Sequence, residues 1–235
     1  MAEELAENIS NLFSLAKSDG MPLEIRKVAL SDPAIGIAGV AVDKISTNFN
    51  IEFASRVKLY LTLRILGQRH VAAGQLVILS KLQERNSHLS SPAIDAIIQI
   101  GQTLFEKKQF EEAIALMEAA VDFGDHLLGQ DFPQKPYIYS NHAAALFRAD
   151  RFRDAESMRR SELNLWHRST QLEDLGRRMI CEEGLADAIA AQGRVQEAAA
   201  IYVRLCEQFR HYEVYMNGPA MTRILQKIQD SMRVT

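Results

Sequence analysis

Six histidines and two cysteines are the side chains best suited to metal binding or nucleophilic chemistry, and their spacing indicates neither. The histidines are His70, His88, His126, His142, His167 and His211. No two of them form the His-Glu-x-x-His pattern, which presents two imidazoles to zinc from one helix face. Cys181 and Cys206 lack the short spacing of a metal-ligand pair. We therefore expect no metal site, and two free thiols in a reducing compartment.

Paired carboxylates are the other residues that could support catalysis. Glu111-Glu112 and Glu182-Glu183 are each adjacent in the sequence, so on a helix the two side chains diverge by about 100°. They cannot face one substrate together, and we interpret them as surface charge. Gly36-x-x-Gly39 lacks the rest of a phosphate-binding loop. Because no nucleophile, base and oxyanion donors come together, the sequence predicts a protein that is not an enzyme and needs no cofactor.

Charge and hydropathy argue against nucleic acid and membranes as partners. The 27 basic and 30 acidic side chains leave a net charge of −3, which creates no field toward a polyanion or an anionic bilayer. No apolar run approaches the roughly 20 residues that span a bilayer. The acidic start MAEELAENIS lacks the basic and apolar regions of a signal peptide. We expect a cytoplasmic protein, with the nucleus as the alternative compartment.

Long helices must position any site that this chain carries. Only 12 glycines and 6 prolines interrupt the sequence, which favours helices over many short strands. Apolar residues recur at spacings of three and four from Ile51 onward, with short polar turns between the periodic runs. The predicted helices span 51–66, 70–85, 92–107, 110–128, 136–149, 152–167, 171–192, 195–210 and 219–233. Ser91 is the expected N-cap of the third helix, with Pro92 as its first residue.

The N-terminal residues follow a less regular pattern. Residues 2–18 predict an amphipathic helix. The stretch Ala34–Ile45 is apolar and rich in small residues, and it fits either a buried helix or a buried strand. The expected organisation is an N-terminal helical cap or assembly segment over 1–50, a helical repeat array over 51–215, and a C-terminal capping helix over 216–235.

Three segments of the array superpose residue by residue. They read IGQTLFEKKQFEEAIALMEAAV from Ile100, HAAALFRADRFRDAESMRRSEL from His142, and LADAIAAQGRVQEAAAIYVRLC from Leu185. Each has a small residue on its first helix and an alanine twelve positions later on its second. These pairs are Gly101/Ala113, Ala143/Ala155 and Ala186/Ala198. Antiparallel helices approach closely only where side chains are small, so we place these pairs at the helix crossings. One helix pair cannot bury its apolar face alone, so neighbouring pairs must stack.

This pattern resembles the tetratricopeptide repeat (TPR) family. The first segment matches best, with Gly101, Leu104, Phe105, Phe110, Ala113 and Ala120. The other segments depart from the family where Glu162 and Leu205 replace a small residue and Glu182 replaces an aromatic one. The resemblance implies an all-α protein, built of antiparallel helix-pair repeats stacked as a right-handed TPR-like α-solenoid.

The repeats are longer than usual. The small residues at 101, 143 and 186 give periods of 42 and 43 residues, against about 34 in an ordinary TPR. The linker Leu127-Leu128-Gly129-Gln130-Asp131-Phe132-Pro133 is similar to the linker of the 42-residue repeats in kinesin light chains. The resemblance implies a protein or peptide partner, bound by an adaptor or scaffold. The alternative is a structural subunit of a large multiprotein complex, for example a ubiquitin-ligase type assembly, with the groove unused.

The resemblance also implies which residues line a concave groove. The candidate partner-binding residues are Gln102, Phe105, Tyr137, Asn141, Phe147 and Arg148. Asn141 matches a position where long-repeat proteins hold a ligand backbone through an amide, which both donates and accepts hydrogen bonds. Other positions expected to face the groove are Asp95, Ile98, Gln99, Glu106, Ser140 and Ala144. The alternative interpretation of each is a solvated helix face.

Some TPR modules clamp the C-terminal carboxylate of heat-shock chaperones with lysine and asparagine. The matching positions here hold Ile98, Gln102, Ser140, Ala144, Glu183 and Asp187. Carboxylates and apolar groups at these positions would repel that ligand, so we predict no chaperone binding.

A cluster of arginines lies between Arg148 and Arg178. The eight arginines of this stretch alternate with six acidic residues, which leaves a net charge of only +2. We interpret the stretch as a solvated, ion-paired face; if it binds a partner, that partner is acidic. Trp166 lies late in a second helix, where buried packing is expected and an exposed position would indicate an interface.

Overall fold

A computed structural model describes residues 48–65, 69–84, 90–167, 173–211 and 219–233. Its helices are α1 (Asn48–Ile65), α2 (Arg69–Gln83), α3 (Ser90–Glu106), α4 (Phe110–Leu127), α5 (Lys135–Arg148), α6 (Phe152–His167), α7 (Glu173–Ala191), α8 (Val195–His211) and α9 (Pro219–Arg233). The described ranges contain no strand. The predictions for 2–18 and Ala34–Ile45 lie outside them.

The nine helices predicted from Ile51 onward are confirmed, with ends that differ by about three residues or fewer. One difference concerns α3, which begins at Ser90, so the expected cap Ser91 lies inside the helix. The Ser90 hydroxyl donates to Oε1 of Gln83 at 2.7 Å. The Ser91 hydroxyl accepts from Nε2 of Gln134, also at 2.7 Å. Both hydroxyls therefore connect the start of α3 to neighbouring elements.

The described residues fold as two compact units, and the boundary falls within α5, between Asn141 and His142. In the first unit α1 packs against α2 and α3 packs against α4, while α4 also contacts α1 and α2. The second helix pair therefore packs on the first. Tyr60 of α1 fastens this contact, because its buried hydroxyl donates to the Ala119 carbonyl of α4 at 2.9 Å. Its ring lies 6.0 Å from that of Phe123.

In the second unit α6 packs against α7, α7 against α8, and α8 against α9. Its core contains Met179, Ile189, Tyr202 and Leu205. The last helix adds Met221, Ile224 and Ile228, which recur at spacings of three and four along one buried face of α9. Helix α9 thus covers apolar surface that α7 and α8 would otherwise expose.

The close helix crossings expected from the sequence are confirmed in their burial. Gly101, Ala113, Ala143, Ala155, Ala186 and Ala198 are all buried. At Gly101 the closest neighbour is not Ala113 but Met117 of α4, whose terminal methyl a Cβ at Gly101 would overlap. The glycine therefore makes room for a flexible side chain, while the other two segments place buried alanines at both positions.

The turn that joins the two helices has the same backbone geometry in all three segments. One residue of each turn has a positive φ, namely Lys108 (62°), Asp150 (58°) and Gly193 (81°). The next amide donates to a carbonyl five residues back, with Gln109 bonded to Leu104 at 2.9 Å, Arg151 to Leu146 at 2.9 Å, and Arg194 to Ile189 at 3.3 Å. This is the Schellman motif that ends helices. The repeat is thus present in the backbone as well as in the side chains.

Candidate partner-binding surface

Helix α3 presents a straight stripe of polar side chains to solvent. Asp95, Gln99, Gln102 and Glu106 are all exposed, and their spacings of four, three and four place them on one face of the helix. The opposite face buries Ile94, Ile97, Ile100 and Leu104. Because that apolar face holds α3 against the core, the stripe is fixed in position. We call Asp95, Gln99, Gln102 and Glu106 the α3 stripe.

Within the described ranges, the side chains of the α3 stripe have no partner. None of its four side chains forms a hydrogen bond or ion pair with another residue of the described ranges. Helix α3 itself contains two acidic residues and no lysine or arginine. The stripe therefore combines two amides, which can donate and accept, with two carboxylates that form no ion pair within the described ranges.

Phe105 lies beside the stripe and has a packing role. It is half-buried, and its ring meets the ring of Phe110 edge to face, with centroids 5.5 Å apart. This contact joins the end of α3 to the start of α4. Its role in partner binding remains a prediction.

The first half of α5 belongs to the same unit and carries Tyr137 and Asn141. Tyr137 is 37 % exposed and Asn141 is half-buried. They are four residues apart and therefore neighbours on one helix face. The start of α5 is fixed because Lys135 donates to the Asp125 carboxylate at 2.6 Å and to the Gln130 carbonyl at 2.9 Å. Gln102, Phe105, Tyr137 and Asn141 thus all lie in the first unit.

Phe147 and Arg148, the other two predicted partner-binding residues, lie in the second unit. Phe147 is half-buried and pairs with Phe152, with ring centroids 5.4 Å apart. This contact repeats the one between Phe105 and Phe110. Arg148 is exposed. The six candidates are therefore divided between the two units, four in the first and two in the second.

In the third segment, Glu183 and Asp187, which match ligand-binding positions of other TPR modules, are bound by residues of α9. Glu183 of α7 accepts two hydrogen bonds from Arg223 of α9, at 2.6 and 2.7 Å, and one from Lys227 at 2.8 Å. Asp187 accepts from Lys227 at 2.6 and 2.8 Å and from the Tyr202 hydroxyl at 2.5 Å. Burial raises the pKa of Glu183, but the hydrogen bonds and charges of Arg223 and Lys227 outweigh it and lower this pKa below its usual value. The Glu183 carboxylate is therefore held ionised by α9, and Asp187 shares the same lysine.

The interpretation of Glu182-Glu183 as surface charge is wrong. Glu182 is 4 % exposed and Glu183 is 7 % exposed. Glu182 pairs with Arg204 of α8 at 3.1 Å, and Glu183 pairs with α9. Adjacent residues on a helix do diverge, as expected, but here one turns toward α8 and the other toward α9. A possible signal in the sequence was the basic pair Arg223 and Lys227, which has the same spacing as Glu183 and Asp187.

Glu162, which breaks the TPR pattern, is buried without being isolated. Its carboxylate accepts from Arg159 at 2.6 Å and from the Trp166 indole at 3.1 Å. The expected burial of Trp166 is confirmed. The Cys181 thiol donates to the Arg159 carbonyl at 3.3 Å, and burial, with the nearby Glu162 charge, raises its pKa. Glu162, with its partners Arg159 and Trp166, thus occupies the position at which the TPR pattern has a small residue.

The ion-paired interpretation of the arginine cluster is confirmed for several of its members. Glu156 accepts from Arg160 at 2.8 Å, from Arg194 at 2.7 Å and from Gln192 at 2.8 Å. Burial raises the pKa of Glu156, but these hydrogen bonds outweigh it and keep the pKa below its usual value. Arg151 pairs with Asp154 at 2.8 Å. The contacts of Glu156 join α6 to the turn before α8. The arginines named here therefore form ion pairs with acidic residues of the second unit itself.

No three histidine, cysteine, aspartate or glutamate side chains of the described ranges are grouped so that they could hold a metal ion. None of the described helices combines the length and the hydropathy needed to cross a bilayer. Cys181 and Cys206 are buried and form no disulfide bond.

Comparison with known proteins places the fold. The sequence matches no protein-family profile and no curated protein. The structure is similar to that of BtubC (BKLC) from P. vanneervenii, with a TM-score of 0.51 and 15 % identity over 93 % of this chain and 95 % of that one. A kinesin light chain-like protein of Podosopora anserina, with nearly identical TPR-like repeats, gives a TM-score of 0.45 and 16 % identity over 88 % of this chain and 98 % of that one. The repeated helix pairs, their common turn and the similarity to BtubC identify the described chain as a TPR-like helical repeat fold.

Proposed function

We propose that this protein is a non-catalytic adaptor that binds a partner polypeptide through the first unit. The binding surface is the α3 stripe together with Phe105, Tyr137 and Asn141. The observation that carries this proposal is the contrast between two helices. The α3 stripe is exposed and unpaired within the described ranges, whereas the carboxylates of α7 are neutralised by α9.

The chemistry of the stripe fits a polypeptide backbone. Gln99 and Gln102 can each donate to a carbonyl and accept from an amide, which is what an extended segment requires. The exposed tyrosine ring of Tyr137 offers apolar area at a low cost in side-chain entropy. TPR-like repeats are interaction scaffolds, which supports a partner protein over a small substrate. The two buried cysteines form no disulfide, which fits a reducing compartment, and we propose the cytoplasm as the location of the adaptor.

Affinity purification followed by mass spectrometry tests this function. The full chain is compared with a Gln102→Ala, Asn141→Ala double variant and with Arg153→Ala, a control at an exposed position of α6. We expect the wild type and the control to capture the same partner and the double variant to lose most of it. Equal capture by all three proteins would show that this surface is not the binding site.

A structural subunit is the second candidate, and one observation favours it. Val71 and Val77 of α2 are 54 % and 51 % exposed, and a neighbouring subunit would cover such side chains. For a subunit, Val71→Ser with Val77→Ser should abolish copurification at fixed stoichiometry, while the Gln102→Ala, Asn141→Ala variant should leave it intact. The opposite pattern supports the adaptor.

A further inference from the structure

In the second unit, basic residues of α9 bind carboxylates of α7, the first helix of the third segment. Glu183 and Asp187 lie four residues apart on α7, and Arg223 and Lys227 lie four residues apart on α9. The guanidinium of Arg223 binds both oxygens of Glu183, and Lys227 bridges both carboxylates. Charge-assisted bonds of this kind are stronger than neutral ones and fix the register of the two partners. The spacing of the cations thus matches the spacing of the anions.

The α3 stripe has carboxylates but no such cations. Asp95 and Glu106 mark its two ends, and Gln99 and Gln102 lie between them. Every one of the four is exposed, and none is paired with a described residue. An acidic segment, or the phosphates of a nucleic acid, would meet two like charges on α3, which carries no lysine or arginine of its own; Lys107 and Lys108 follow its last residue.

We propose that the α3 stripe binds an extended segment of a partner protein that carries two basic residues about five positions apart. This inference rests on the proposed function and names the chemistry of the partner. Asp95 and Glu106 are 11 residues apart, which is about 16 Å along a helix at 1.5 Å per residue. An extended chain that advances about 3.3 Å per residue covers this distance in about five residues. The basic residues pair with Asp95 and Glu106, and the backbone between them bonds to Gln99 and Gln102.

The ends of the stripe are exposed, so these ion pairs are modest and sensitive to salt. Affinity should therefore depend on the spacing of the cations as well as on their number, because only a matched segment reaches both carboxylates at once. Raising the salt concentration from 50 mM to 500 mM should weaken binding several-fold.

Fluorescence anisotropy with synthetic peptides tests the proposal on the full chain. Three labelled 15-residue peptides share a Gly/Ser/Ala background. The first carries two lysines five positions apart, the second carries two adjacent lysines, and the third carries two glutamates five positions apart. We expect the spaced-lysine peptide to bind most tightly. Asp95→Asn with Glu106→Gln should weaken it about fivefold to tenfold, the effect of two exposed ion pairs.

The matched control removes the same charge elsewhere. Glu84 and Glu207 are exposed, and neither is paired with a described residue, so Glu84→Gln with Glu207→Gln should leave the affinity within about twofold. Thermal melts of both variants check that the fold is intact. Equal affinity for the three peptides, no binding of the spaced-lysine peptide at millimolar concentration, or equal weakening by the control variant would overturn the proposal.

This failure can be told apart from failure of the proposed function. If Asp95→Asn with Glu106→Gln captures the cellular partner as well as the wild type does, while Gln102→Ala with Asn141→Ala loses it, the surface binds a partner that is not basic. If both variants capture it fully, the surface is not used at all.

Discussion

Arg223 of α9 donates two hydrogen bonds to the carboxylate of Glu183 on α7, across 40 residues of sequence. The pair joins the last described helix to the first helix of the third segment. Glu183 is almost fully buried while the Arg223 side chain is about half exposed. The arginine therefore reaches from the surface to neutralise a charge that the fold has removed from water.

Removing Arg223 should destabilise the second unit. Arg223→Ala leaves Glu183 with Lys227 as its remaining cation, and we expect a loss of about 1–2 kcal/mol, less than for a fully buried pair because water screens the exposed arginine. Urea unfolding measures the change. The control Arg153→Ala should stay within about 0.5 kcal/mol of the wild type. An Arg223→Ala variant as stable as that control would refute a stabilising role for the pair.

The pH dependence of stability should show a step caused by His142. This imidazole is buried, and neither ring nitrogen has a hydrogen-bond partner in the described ranges. Burial, helped by the Arg151 charge and opposed by Asp154, lowers its pKa from 6.5 to about 4. As the pH falls, this histidine therefore binds a proton in the unfolded chain before it does so in the folded chain. The free energy of unfolding is unaffected by protonation of His142 above pH 6.5 and decreases as the pH drops toward 4.

The size of that step is bounded by the shift, at about 3 kcal/mol. Chemical denaturation at intervals between pH 7 and pH 4.5 measures it, and His142→Leu should remove it. Glu183 and Glu156 have lowered pKa values, so their contribution is lost only at more acidic pH, below about 4.5. A wild-type protein with equal stability at pH 7 and pH 4.5 would contradict this assignment.

At two equivalent positions of the common turn, introducing a glycine should stabilise the fold and removing a glycine should destabilise it. Lys108 adopts a φ of 62°, which is costly for a residue with a side chain, and Gly193 adopts 81° at no such cost. Lys108→Gly should raise the free energy of unfolding by about 0.5–1 kcal/mol, and Gly193→Ala should lower it by about 1 kcal/mol. Lys107→Gly is the neighbouring control and should not stabilise. If Lys108→Gly is no more stable than Lys107→Gly, the turn is not strained.

Gly124 of α4 should tolerate no side chain. A Cβ at this position would overlap the ring of Phe132, which is buried in the linker between α4 and α5. Gly124→Ala should cost about 1–3 kcal/mol through overpacking. Gly74 of α2 has nothing within 4 Å of a built Cβ, so Gly74→Ala should be neutral or stabilising by up to about 1 kcal/mol. Thermal melts of the two variants should shift in opposite directions, and parallel shifts would disprove the linker contact.

The sequence predicts the helices and their crossings because these depend on local patterns. Apolar residues recur at helical spacing, and the small residues at Gly101, Ala143 and Ala186 repeat at nearly constant intervals. Even the strained turn can be located, since Lys108 aligns with Gly193. Local chemistry is enough for these features, because each turn is closed by hydrogen bonds that span only a few residues.

The buried carboxylates could not be predicted in the same way. Glu182 and Glu183 owe their environment to Arg204 and Arg223, which lie 22 and 40 residues further along the chain. A helical pattern shows that two adjacent side chains diverge, but it does not show which later helix meets each one. Phe105 and Phe147, which the sequence predicts to face a groove, each also pack against a ring at the start of the following helix, that of Phe110 or Phe152.

An NMR titration with the captured partner tests most directly whether the α3 stripe is the binding surface. The signals to follow are the side-chain amides of Gln99 and Gln102. Gln192 is an internal reference, because its amide is already bonded to the Glu156 carboxylate and the Ala188 carbonyl. We predict that the signals of Gln99 and Gln102 shift on binding while that of Gln192 does not move. A complex that forms with Gln99 and Gln102 unchanged would contradict the assignment of the α3 stripe as the partner-binding surface.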